Sequence, residues 1–213
     1  MKTFHQFGWV VAAILALFLV FLMAAGFQDS TTKIGVVDLA KLLDSSEMSK
    51  DSTSSLTAAQ KVREDMLGFL DTYKVASAEQ VIKLKNLSLK AKLSEPEKTE
   101  LETLKADIMR TDQKYKELLQ KANPTPDEQS LLTDYASRAR SNQATVQRLW
   151  EEFKKELDDK LRLESQAVLD KARLSIQEVS KAGGYTAVFD QRIAPYGTND
   201  LTEAALKAMN AKK

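Results

Sequence analysis

Few side chains in this 213-residue protein are able to do covalent or proton-transfer chemistry. Cysteine is absent, and the one histidine, His5, lies in an apolar N-terminal leader. With no thiol and no imidazole beyond that leader, Cys nucleophiles, a Ser-His-Asp triad and zinc sites built on Cys or His are excluded. No G-x-x-x-x-G-K-[ST] or G-x-G-x-x-G run occurs, so no loop cradles a nucleotide phosphate. Carboxylates, lysines and tyrosines remain. The best acid pair, Asp158-Asp159, serves poorly, because adjacent helix positions point about 100° apart and do not converge on one substrate atom. No D-x-[DN]-x-[DN]-G loop offers a calcium site. The expectation is a protein that binds, not an enzyme, with no cofactor and no metal.

Charge narrows what it binds. Lys and Arg number 31 against 30 Asp and Glu, a net charge of +1. Removing Lys2 with the leader leaves 30 of each sign. A nucleic-acid binder carries a basic face, and this balance argues against one. Interspersed Lys and Glu read instead as the solvated faces of helices. Only 7 Gly and 4 Pro punctuate the chain, too few for an all-β fold with its frequent turns.

The leader sets the compartment. Gly8 to Phe27 is free of charge, and Trp9 to Met23 is wholly apolar before Ala24-Ala25-Gly26. That stretch satisfies a signal peptide with its small-residue cleavage site and also a membrane-spanning helix of about 20 residues. Residues 1–26 are accordingly a signal peptide or an N-terminal membrane anchor, with cleavage the preferred reading. Either way the rest of the chain is exported.

Beyond the leader, Lys33 to Asp38 is a short β-branched run and reads as a strand, after which Asp38 caps a short helix. The Ser/Thr-rich stretch 44–57 reads as a loop or a frayed helix start. Capping boxes at Thr57/Gln60, Ser94/Glu97 and Thr125/Glu128 signal helix starts near 57, 95 and 126. The first of these helices has no interruption before about Lys92, and the last runs to Lys181, where Gly183-Gly184 stops it. Leu101, Leu104, Ile108, Tyr115, Leu118 and Ala122 follow a 3/4 spacing with Thr111 as a polar break. Leu132, Tyr135, Ala139, Val146, Leu149 and Phe153 do the same, interrupted by Asn142. This period predicts an antiparallel hairpin over 57–182 with its tip near 123–126. Its returning helix would reach roughly 80–85 Å at about 1.5 Å per residue. Two helices that long enclose no deep core, so their apolar seam should be only half covered.

Tyr185 to Asp190 alternates as a strand, Ile193 to Tyr196 suggests another, and Asn199 to Glu203 opens a terminal helix. The hairpin returns to where it began, so 33–56 and 183–213 should pair into a small α/β body. The expected fold is mainly α with a small α+β body, from which a long coiled-coil hairpin projects.

Three stretches of this arrangement resemble the Skp/OmpH-like family of periplasmic chaperones for outer-membrane proteins. They are Lys33-Ile34-Gly35-Val36-Val37-Asp38; Ile176 to Tyr185 running into Ala187-Val188-Phe189-Asp190; and Tyr196 with Asn199-Asp200-Leu201-Thr202 and a helix ending near Asn210. The resemblance implies a homotrimer whose small bodies associate and whose hairpins surround a cavity. Unfolded outer-membrane proteins are held there without nucleotide and kept from aggregating. The chain departs from the family's strongly basic member in being neutral, which weakens the case for attraction to lipopolysaccharide or acidic clients. Its hairpin is also longer and carries an extra break at 94–96.

Client contacts are expected on Met66, Phe69, Leu70, Tyr73 and Val81 of the outgoing arm and on Leu149, Trp150 and Phe153 of the returning one, although for any single one of them closing the hairpin's own seam is the favoured reading. Trp150 is the residue most expected at the surface, because Leu149 and Phe153 already occupy the seam. Ile34, Val36, Val188, Phe189, Tyr196 and Leu201 are assigned to the body core and to contact between copies. The alternative reading is a membrane-anchored coiled-coil spacer or adaptor of the envelope, tethered to the inner membrane through its N-terminus.

Overall fold

The computed structural model describes residues 32–211, so the leader lies outside the described residues. The chain is mainly helical around one small sheet. Strand β1 (Ile34–Val37) leads into helices α1 (Leu39–Ser45), α2 (Glu47–Thr72), α3 (Ala78–Ser88), α4 (Glu95–Gln120) and α5 (Pro126–Ala182), then strand β2 (Ala187–Asp190) and helix α6 (Thr202–Ala211).

The two strands pair in parallel, Ile34 opposite Ala187 and Val37 opposite Asp190. Parallel neighbours need a crossover connection, and here that crossover is the whole helical arm. Val37 and Val188 face a core made with Leu42 of α1, Val168, Ala172 and Ile176 of α5, and Ala205 and Met209 of α6. Polar groups sew the chain ends together. The Asp38 side chain accepts from Lys41 N–H and caps α1, while its own N–H donates to the Thr202 hydroxyl. Thr202 in turn donates from N–H and hydroxyl to Asp200, which opens α6. Asn199 donates its amide to the Ile34 carbonyl, and beside it Val36 N–H donates to Asn199 O while Leu201 N–H donates to Val36 O. Ile193 to Tyr196, expected as a strand, forms turns instead, and the bridge to β1 is made at Asp200. At the end of α5, Tyr185 N–H bonds Ser180 O and Gly184 N–H bonds Lys181 O, a Schellman closure with Gly184 at φ +68°.

The arm departs from a simple hairpin. Thr57 and Gln60 lie inside α2, which begins ten residues earlier at the Ser46 cap. The boundary between body and arm therefore falls within one continuous helix. The helix expected to run to Lys92 stops at Thr72, and α3 then runs back toward the body. Asn142 of α5 bonds Leu70 at the end of α2, whereas Lys85, late in α3, pairs with Glu152, ten residues nearer the body. Helix α4 reverses again, with Lys83 and Lys90 of the α3 side paired to Glu100 and Glu97 near its start. This fold-back absorbs the surplus length of the outgoing side. From Ser52, which bonds Glu164, α2 and α4 advance 47 residues and α3 takes back 11. The net 36 matches the 39 residues of α5 from Glu164 to Pro126 within one turn.

Where four helices overlap they close a true core of Met66, Leu70, Val81, Leu84, Leu87, Leu104, Ile108, Leu149 and Phe153. We call this region the node. Asn142, which interrupted the apolar seam, is 3% exposed. Its amide donates to the Leu70 carbonyl at 2.9 Å, one of the acceptors that the last turn of α2 leaves without an intrahelical partner. Its Oδ1 is buried without a partner. Beyond the node, Tyr115 and Leu118 of α4 meet Leu131, Leu132 and Tyr135 of α5, and Val75 of the α2–α3 turn closes that end. Between node and body only α2 and α5 run side by side. We call that stretch the shaft.

Candidate functional site: the shaft groove and the outer face of the sheet

Two antiparallel helices without a cover leave a furrow, and along the shaft it is apolar. A groove of about 400 Å³ is lined by Leu56, Arg63 and Leu67 of α2 and by Trp150, Phe153, Leu157 and Leu161 of α5. A second groove of about 410 Å³ continues it toward the body, sharing Leu56, Gln60 and Leu161 and ending at Leu43, Val168 and Leu169. Trp150 stands at the distal end, 51% exposed, with the Lys154 ammonium 5.6 Å from its ring. Leu161 is also exposed, and Leu56, Leu67 and Leu157 are half-buried.

The helical repeat explains this second apolar line. Trp150, Leu157, Leu161 and Val168 are spaced i, i+7, i+11 and i+18, which keeps them on one stripe, roughly 100° round the helix from Leu149. The Leu149 stripe closes the seam, and the Trp150 stripe flanks it. Leu56, Leu67, Leu157 and Leu161 were not among the expected contacts; the 7/11 spacing from Trp150 was the signal for Leu157 and Leu161, and the 11-residue spacing of Leu56 and Leu67 puts those two on one face of α2.

Charged side chains fence the groove. Arg63 bonds Glu156 at 2.8 Å and lies 5.3 Å from the Phe153 ring. Ser52 donates to Glu164 at 2.6 Å, and Lys160 pairs with the same carboxylate. The Lys160 ammonium, with Ser52 behind it, holds the Glu164 carboxyl below the usual range. Asp158 lines the groove while Asp159 pairs with Arg162, so the two acids do not act as a pair. Among the described residues no group of three or more His, Cys, Asp or Glu could hold a metal ion.

The expected client contacts separate into two groups. Met66, Leu70, Val81, Leu149 and Phe153 are buried in the node, and Phe69 and Tyr73 are partly buried against it. As placed, these side chains close the arm on itself. Trp150 alone of the set is exposed.

The body residues divide as well. Val36 and Leu201 are buried and Val188 packs on the core. Ile34, Phe189 and Tyr196 are exposed, so assigning them to the core of the single chain is corrected. The cause is the pleat. Ile34, Val36, Ala187 and Phe189 share the face of the sheet that points away from α5, and only Val36 is roofed there, by Gly197. A Cβ at Gly197 would collide with the Val36 side chain. Ile193, and Tyr196 at 96% exposure, extend this apolar face along the following turn. That turn is pinned by Arg192, whose guanidinium holds the Asp190 carboxyl down at about 2.

A family model described as outer membrane protein (OmpH-like) matches residues 33–209. No curated protein and no solved structure gives a significant match. The matched span covers the body, the shaft, the node and the tip, and the chain belongs to the OmpH-like family. Among the described residues no helix is long and apolar enough to cross a membrane.

Proposed function

We propose, from membership of the OmpH-like family, that this protein is a periplasmic chaperone that holds unfolded outer-membrane proteins without nucleotide and keeps them from aggregating. The observation that supports this reading best is the shaft groove. It offers a continuous apolar strip fenced by charges of both signs. A contiguous exposed apolar surface marks an interaction site, and the balanced fence keeps it soluble. An unfolded barrel strand presents apolar side chains at alternate positions, which is the complementary chemistry.

Copies of the chain associate, in this reading, through the outer face of the sheet. Ile34, Phe189, Ile193 and Tyr196 would be covered there, and the arms of a trimer would stand around a shared cavity. The pair Ile193→Asp and Tyr196→Asp tests this by light-scattering mass. A fall to the monomer with helicity intact is expected, and an unchanged mass would sink the assignment.

The function itself is tested by diluting a urea-unfolded barrel protein into buffer containing the purified chain and no nucleotide. Suppressed light scattering at roughly one trimer per client is the expected result. Full aggregation beside a folded, helical chain would overturn the chaperone reading and favour an anchored envelope spacer.

A further inference from the structure

Helix α3 lies on the same seam that the shaft leaves open. Its Val81, Leu84 and Leu87 are buried in one cluster with Leu149 and Phe153 of α5, Met66 and Leu70 of α2, and Leu104 and Ile108 of α4. Phe153 lines both the node core and the open groove, and Leu67 packs on the node while lining that groove. The covered and uncovered stretches are therefore one surface.

Several features mark α3 as a separable cover. It has 11 residues, below the about 12–15 at which an isolated helix becomes even marginally stable in water, so its order depends on the seam beneath it. Turns 73–77 and 89–94 tether it at both ends without glycine or proline. Its links across the rim are two ion pairs, Lys83 to Glu100, exposed and of the weak kind, and the half-buried Lys85 to Glu152.

We propose that α3 is a built-in occupant of the client groove: the binding seam continues beneath it, and an extended, alternating apolar client segment displaces it. This rests on the chaperone reading and assigns Met66, Leu70, Leu149 and Phe153 to the client once α3 has moved. A chain without cysteine allows a direct test. Lys85→Cys and Glu152→Cys, whose native side chains touch, are joined by a bifunctional maleimide, and suppression of barrel-protein aggregation is compared before and after joining. The expected result is at least a fivefold rise in the concentration needed for half suppression when α3 is locked. Equal suppression by locked and unlocked protein overturns the displacement of α3 while leaving the chaperone reading standing. Failure of the wild type to suppress at all removes the chaperone reading itself.

Hydrogen exchange of the unmodified chain gives a second readout that needs no variant. Protection of amides 78–88 should fall at least tenfold when client is added. Unchanged protection in a mixture where scattering is suppressed contradicts the proposal.

Discussion

Shaft and node are built on the same two helices, α2 and α5, yet one is a furrow and the other a core. In the node, Leu149 and Phe153 meet Leu84 and Ile108 from the two added helices and are closed off from water. A few residues along α5, Leu157 is half-buried and Leu161 is exposed, because nothing lies above α2 there. A two-helix hairpin can cover one stripe per helix, and any second stripe stays wet until more chain arrives. The fold-back of α3 and α4 supplies that chain in the node. Buried apolar contact is thereby concentrated in node and body, and exposed apolar surface in the shaft between them.

Substitutions in the two regions should separate sharply. Leu84→Ala removes a fully buried side chain of the node and should destabilise the chain by about 2–5 kcal/mol, read from the urea midpoint. A loss near zero would mean that the four-helix core does not form. Asn142→Ala leaves the Leu70 carbonyl without its partner and should cost roughly 1–3 kcal/mol. Its buried, unpartnered Oδ1 offsets part of that cost, placing the expected value at the lower end. Trp150→Ala, in the shaft, should change stability by less than about 0.5 kcal/mol, as exposed positions do. It should nonetheless raise the concentration needed to suppress client aggregation several-fold. Equal effects of Leu84→Ala and Trp150→Ala on stability would erase the distinction between the regions.

The smallest effect is expected from acid. Glu97 accepts from Lys90 and from the N–H and hydroxyl of Ser94, and these partners hold its carboxyl down at about 2. A carboxyl depressed in the folded state supports the fold fully above its ordinary pKa, and that support is lost as pH falls through the depressed value. The turn between α3 and α4 should therefore loosen between about pH 4.5 and 2 and not between pH 7 and 5. Glu97→Gln should remove this dependence, measured as amide exchange of residues 89–94.

Much of the body and both ends of α5 could be read from the residues themselves. Asp38 caps α1, Ser94 and Thr125 stand at the starts of α4 and α5, and Gly184 takes the left-handed position that ends α5. These are local signals, made by side chains within four residues of the backbone they serve. The fold-back at 73–77 was harder, because no glycine or proline marks it and propensity alone carries a helix through. Two signals were nevertheless present. Ser77/Gln80 is a capping box as good as those at 94 and 125, and Asn142 broke the seam of the opposite helix where α2 had to end. The second is a tertiary signal, intelligible only once both helices are side by side. Thr57/Gln60 shows the converse: its spacing fits a capping box, but Ser46 already supplies the cap and α2 runs through it. Burial was hardest. Sequence spacing put Leu149 and Phe153 on the seam and Trp150 beside it, but what covers the seam depends on α3 and α4 folding back.

The most direct test of the central claim, that the flank of the shaft is where clients sit, uses the fluorescence of Trp150. The other tryptophan is Trp9, so Trp9→Phe makes Trp150 the sole emitter. An unfolded barrel protein whose tryptophans have been replaced by phenylalanine is then added at stoichiometric trimer. On that claim, a blue shift and protection from a soluble quencher are expected, because the exposed indole becomes covered by apolar client. Unchanged emission in a mixture where scattering shows the client held soluble would contradict it and place the client elsewhere on the molecule.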